Sequence, residues 1–133
     1  MTALETIHNY YAAFNRQDVT AMLGLLAEDV LHEISQGGAE RGKDDFRVFL
    51  EHMNVCYAEQ VFELEVMVSS TTRAAAEFRL EGTYLKTDAG FPEAHGQKYT
   101  LQVGAFFELQ NGFITRVSNH YNLKSWLEQV GRS

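Results

Sequence analysis

Apolar positions recur at spacings of three and four through the first part of the chain and at every second position after residue 58. Leu4, Ile7, Tyr10, Tyr11 and Phe14 form one stripe of a helix. Thr2 with Glu5 three residues later has the form of a capping box at its start. Asp18 can cap a second, shorter helix whose stripe is Val19, Met22, Leu23 and Leu26. The segment 30–34 (VLHEI) is short and carries β-branched residues, which predicts a strand, and 35–42 (SQGGAERG) reads as a turn or loop. A third helix is expected from Lys43 to Tyr57, with the stripe Phe46, Phe49, Leu50, Met53 and Tyr57. Asp44 and Asp45 sit in its first turn, where the helix dipole favours negative charge.

Beyond residue 58 three alternating sets predict strands: Phe62, Leu64, Val66 and Val68; Ala74 through Tyr84; and Tyr99 through Leu109. Asn111-Gly112 is a hairpin signal, because both turn positions then accept positive φ. The segment 113–123 reads as the last strand, and Trp126, Leu127 and Val130 as a short terminal helix. Helices gathered first and adjacent strands afterwards define an α+β class, a curved antiparallel sheet packed on helices. With 133 residues and no linker-like stretch, a single domain over 1–133 is expected.

Composition narrows the function classes. A formal net charge of −7 argues against nucleic acid or an anionic membrane as the main partner. No apolar run reaches the roughly 18 residues that span a bilayer. The first residues carry acid where a secretion signal needs a basic start, and the one cysteine, Cys56, has no internal partner, so a reducing cytoplasmic setting is expected.

The familiar catalytic signatures are missing, among them G-x-S-x-G, the P-loop and G-x-G-x-x-G. The five histidines include no pair at one- or three-residue separation, so neither a metal nor a cofactor is expected. His32 shares a strand face with Val30 and Ile34. A histidine there is either a satisfied core residue or a general base in an apolar pocket, its pKa tuned by burial. Glu33 alternates to the opposite face, as a solvated or interface carboxylate. Asn119 and Tyr121 share the inward face of the last strand with Val117 and Leu123; they either bond each other near a sheet edge or line a pocket. Tyr57 and Tyr84 are candidate wall residues. The charged alternation Glu77, Arg79, Glu81 is read as solvent-facing or as a dimer surface.

The stretch 9–30 (NYYAAFNRQDVTAMLGLLAEDV), Arg41-Gly42-Lys43, Gly82-Thr83-Tyr84 and 112–114 through 121–123 together resemble the NTF2-like superfamily, in particular its ketosteroid-isomerase-like and SnoaL-like (polyketide cyclase) branch. That resemblance implies a cone: a strongly bent sheet around three N-terminal helices, with a deep apolar pocket, and a homodimer formed through the outer sheet face. It puts Tyr10 at the place of the isomerase's oxyanion-donor tyrosine, Ile34 at its base position and Ala105 near its acid donor. Asn122 falls where the cyclase branch has an aspartate. The implied activity is a cofactor-free proton transfer on a small apolar carbonyl compound, with His32 and Tyr10 catalytic and Asn119, Tyr121, Tyr57, Tyr84 and Ile34 around the substrate. The alternative is a protein that binds an apolar metabolite without chemistry.

Overall fold

In the computed structural model, which describes residues 1–34 and 37–131, the capping box closes as the sequence suggests. Thr2 Oγ1 accepts from the Glu5 backbone N–H at 3.1 Å, and Glu5 Oε1 accepts from that of Thr2 at 3.0 Å. Helix α1 spans Ala3–Asn15 and α2 spans Val19–Leu23, capped by the Asp18 carboxylate, which accepts from Ala21 N–H. Strand β1 runs Leu26–Ile34, β2 Gly38–Arg41, then α3 Lys43–Cys56. Strands β3 (Tyr57–Ser70), β4 (Arg73–Tyr84), β5 (Gln97–Gln110) and β6 (Phe113–His120) follow, and α4 covers Leu123–Val130.

The six strands form one curved, unclosed sheet in the order β2-β1-β6-β5-β4-β3. Every neighbouring pair is antiparallel except β1 and β6, which run parallel. Register breaks insert extra residues on β1, β3 and β6, which bends a sheet and increases its twist. The β5–β6 hairpin turns through Asn111 (φ 53°) and Gly112 (φ 81°), both in the left-handed region that an Asn-Gly pair tolerates.

Helix α1 is fastened to β3 by a side chain that imitates a strand. Asn15 Oδ1 accepts from Val61 N–H at 2.7 Å and Asn15 Nδ2 donates to Val61 C=O at 3.1 Å. On β4, Ala74 and Ala76 lie opposite Phe107 and Ala105 of β5, so small residues make room for the rings of Tyr10, Tyr11, Phe78 and Phe107. A second aromatic cluster, Tyr57, Tyr84, Tyr99 and Trp126, is held under α4. Its tight packing explains Gly82: a Cβ there would lie 2.2 Å from the Tyr99 ring.

Four expectations need correction. Residues 38–41 form strand β2 rather than loop, pairing His32 with Glu40 in register; positions 35 and 36 of that predicted loop lie outside the described residues. Strand β1 starts at Leu26, earlier than Val30, because the bulge lets it continue past Glu28 and Asp29. Phe62 is exposed and Val61 buried, since Glu63 takes φ 55° and the bulge switches faces before Leu64 and Val66. The last strand ends at His120, where Asn122 caps α4 by accepting from Ser125 N–H at 3.0 Å.

Candidate functional site

A cavity of about 310 Å³ lies between the sheet and the helices, at the lower end of the range for small-molecule sites. Its lining is mostly apolar: Phe46, Phe49 and Leu50 come from α3, Phe78 and Leu80 from β4, and Leu101 and Val103 from β5. Tyr10 and Tyr11 enter from α1, His32 and Ile34 from β1, Tyr57 and Glu59 from β3, and Asn119 and Tyr121 from the end of β6 and the turn after it.

His32 is 2 % exposed. Its ring stacks on Phe46 with centroids 4.4 Å apart and meets the edge of Phe49 at 4.6 Å. Nδ1 lies 3.0 Å from Glu40 Oε1 across the β1–β2 pair. A carboxylate can only accept, so Nδ1 carries the proton and the lone pair is on Nε2. Burial pushes the His32 pKa below the ordinary value, and the bond and charge of Glu40 only partly restore it.

Burial raises the Tyr10 and Tyr11 phenols well above the usual range, so both stay protonated donors. The Tyr11 hydroxyl is the single fully buried side-chain polar atom without a hydrogen-bond partner among the described residues. An unpaired buried hydroxyl costs about 1–3 kcal/mol. Glu59 is half-buried in the cavity wall and accepts from Tyr99 O–H at 2.6 Å. Desolvation raises its carboxyl pKa, and the Tyr99 bond opposes that shift.

Of the residues singled out in the sequence, His32, Tyr10, Asn119, Tyr121, Tyr57 and Ile34 are brought together around this cavity. Tyr84 is not. It is fully buried behind the wall, with its hydroxyl donating to Pro92 C=O (2.7 Å) and accepting from Asp88 N–H (2.9 Å). It shapes the loop between β4 and β5 instead of touching the cavity. Glu33 faces the other side of the sheet, paired with Arg116, which also reaches Glu108 at 3.3 Å. Sequence reasoning missed Glu40, Tyr11 as an unpaired donor, Glu59, and the pair His52–Asp88 at the rim. The spacing of four between His52 and Cys56 was the available signal for the last.

The family model for the SnoaL-like domain matches residues 7–117. The chain belongs to that family. Among solved structures it is similar to a proposed polyketide cyclase from Pseudomonas putida KT2440, at 50 % identity, TM-score 0.95 and 98 % coverage of both chains. A second proposed polyketide cyclase, from Xanthomonas campestris pv. campestris, shares 47 % identity at TM-score 0.93, with 96 % of each chain covered. An NTF2-like protein of unknown function from Burkholderia pseudomallei K96243 shares the fold at 20 % identity and TM-score 0.81, again over 96 % of each chain. No curated protein sequence matches. No helix among the described residues is long and apolar enough to cross a membrane.

Proposed function

We propose that this protein catalyses a cofactor-free proton transfer, of the cyclase or isomerase type, on a small and largely apolar carbonyl compound held in the cavity. The observation that carries the reading is the buried His32 ring, held by Glu40 and set into a mostly apolar wall that also holds two protonated phenols.

With Nδ1–H held by Glu40, His32 Nε2 is the base. It takes a proton from the carbon next to the substrate carbonyl, and the charge moves onto that oxygen as an enolate. Tyr10, with Tyr11 beside it, donates to the enolate oxygen, and a fixed donor in a dry site contributes several kcal/mol to such a transition state. Asn119 and Tyr121 orient the substrate, and Tyr57 and Ile34 form part of the wall. In a cyclisation the carbanion attacks a second carbonyl of the same molecule, one carbon–carbon bond forms, and the imidazolium returns its proton to the new alkoxide. In an isomerisation the proton returns to another carbon.

The outer sheet face supports a homodimer: exposed Phe62 and Phe106 lie there among the ion pairs of Arg79 with Glu63 and Glu81. A cytoplasmic setting accords with the free Cys56. One feature favours the binding-protein alternative: Ile34, at the place of the isomerase's carboxylate base, lines the cavity with an aliphatic side chain.

Exchange of carbon-bound hydrogen for deuterium in 2-tetralone, followed by NMR in heavy water, separates the two readings without knowledge of the natural substrate. The protein should accelerate exchange beside the carbonyl. The rate should be flat through neutral pH and fall only below the ordinary histidine value of 6.5, because the neutral ring is the active form and burial lowers its pKa. Saturable binding of the ketone without exchange would establish the binding-protein reading instead.

A further inference from the structure

At the rim of the cavity three metal-ligating side chains of different chemistry converge. His52 and Cys56 lie one turn apart at the end of α3, and Asp88 comes from the loop between β4 and β5. His52 Nε2 is 2.8 Å from Asp88 Oδ1 and 3.9 Å from Cys56 Sγ, and all three ligand atoms lie within 4.8 Å of one another. We propose that His52, Cys56 and Asp88 bind a divalent transition-metal ion of the zinc class. This site is independent of the proton transfer assigned to His32.

The spacing fits. A tetrahedral zinc ion with nitrogen, oxygen and sulfur ligands holds their atoms about 3–4 Å apart, which small side-chain rotations reach from the present positions. The set is also charge-matched. A dication with one carboxylate, one thiolate and a neutral imidazole sums to zero, which suits a position beside a mostly apolar cavity. Binding would release the Cys56 proton, as thiol coordination requires. Without a metal, burial and the Asp88 charge hold that thiol protonated.

The carboxylate is fixed more firmly than a surface ion pair requires. Asp88 Oδ2 accepts from Tyr57 O–H at 2.8 Å, and Asp88 N–H donates to Tyr84 at 2.9 Å. The start of the loop is tied to the end of α3, because Leu85 and Lys86 N–H groups both donate to Cys56 C=O. Such outer contacts orient ligands in built metal sites. Three protein ligands leave a fourth position for water or a ligand oxygen, and His52 and Asp88 both line the cavity.

Cobalt(II) titration of the chelator-stripped full-length protein tests this, since its spectrum reports thiolate coordination and tetrahedral geometry directly. The expected result is one ion per chain, a near-ultraviolet thiolate-to-cobalt band, intense visible bands, and loss of all of them on adding zinc. Cys56→Ser should abolish the thiolate band, and Tyr57→Phe should weaken affinity about 10–100-fold while keeping the band. His52→Ala, altering an exposed side chain, should abolish tight binding and provides the check should Cys56→Ser fold poorly. His8→Ala and His95→Ala, at exposed positions elsewhere, should change nothing. No thiolate band at saturating cobalt, or affinity unchanged in His52→Ala, would overturn the assignment.

Discussion

His32→Gln is expected to lower ketone exchange by about 10²–10⁴-fold, the usual contribution of a positioned general base. That loss corresponds to roughly 3–5 kcal/mol of barrier, at about 1.4 kcal/mol per factor of ten. Glutamine keeps a polar group that can still donate to Glu40, but it supplies no basic nitrogen at neutral pH. The fold should survive, because Glu40 is partly solvated and so is not stranded when its partner changes. His32→Ala should lose exchange to the same degree, with a larger cost in packing against Phe46 and Phe49. Rates measured beside a denaturant midpoint for each variant separate the two effects. A folded His32→Gln protein exchanging at the wild-type rate would remove His32 from the mechanism.

The pH dependence of stability follows from the same ring. The unfolded chain binds a proton near the ordinary histidine value, whereas the folded ring resists it. Acidification from neutral therefore destabilises the fold through the window below that value, until the folded ring also protonates.

Phe46→Ala is the substitution expected to cost most in stability. Phe46 is almost fully buried in the first turns of α3, and its ring carries the stacked face of His32. Truncating a buried phenylalanine costs about 3–5 kcal/mol. That is a large share of the roughly 5–15 kcal/mol that holds a domain together, and the melting temperature should fall on the order of 10 °C. The new space joins the existing cavity, so His32 loses its support and exchange should fall even in the molecules that remain folded. Thermal unfolding together with the exchange rate at low temperature measures both. A change of less than about 1 kcal/mol would mean that α3 closes onto β1 without this ring.

Helix α1, its capping box, the Asp18 cap, the β4 and β5 alternations and the Asn-Gly hairpin were legible because each is written in local spacing. The sheet order was not, since the parallel pairing of β1 with β6 joins segments some 80 positions apart. Strand β2 was hidden by its four residues and its glycine, and with it went the partner of His32, because only the hairpin brings Glu40 across. Phe62 misled because alternation presumes an unbroken register, and the left-handed Glu63 breaks it. For the cavity, the inward faces of β1 and β6 could be read by parity, which put His32, Ile34, Asn119 and Tyr121 together. Tyr84 shares that parity, yet its hydroxyl is taken up by Pro92 and Asp88, a loop contact that no periodicity encodes. The part-buried Glu59–Tyr99 pair escaped for a similar reason: a glutamate in an alternating strand reads as solvent-facing until the tyrosine from β5 is seen over it.

The central claim is that a neutral, Glu40-held imidazole faces an apolar chamber that receives a ketone. Nitrogen-15 NMR of the His32 ring, recorded across pH with and without 2-tetralone, tests it most directly. The account predicts a proton on Nδ1, a bare Nε2, titration below the ordinary histidine value, and a shift of the Nε2 signal when the ketone binds. A proton on Nε2, titration at or above the ordinary value, and a ring indifferent to the ketone would contradict it.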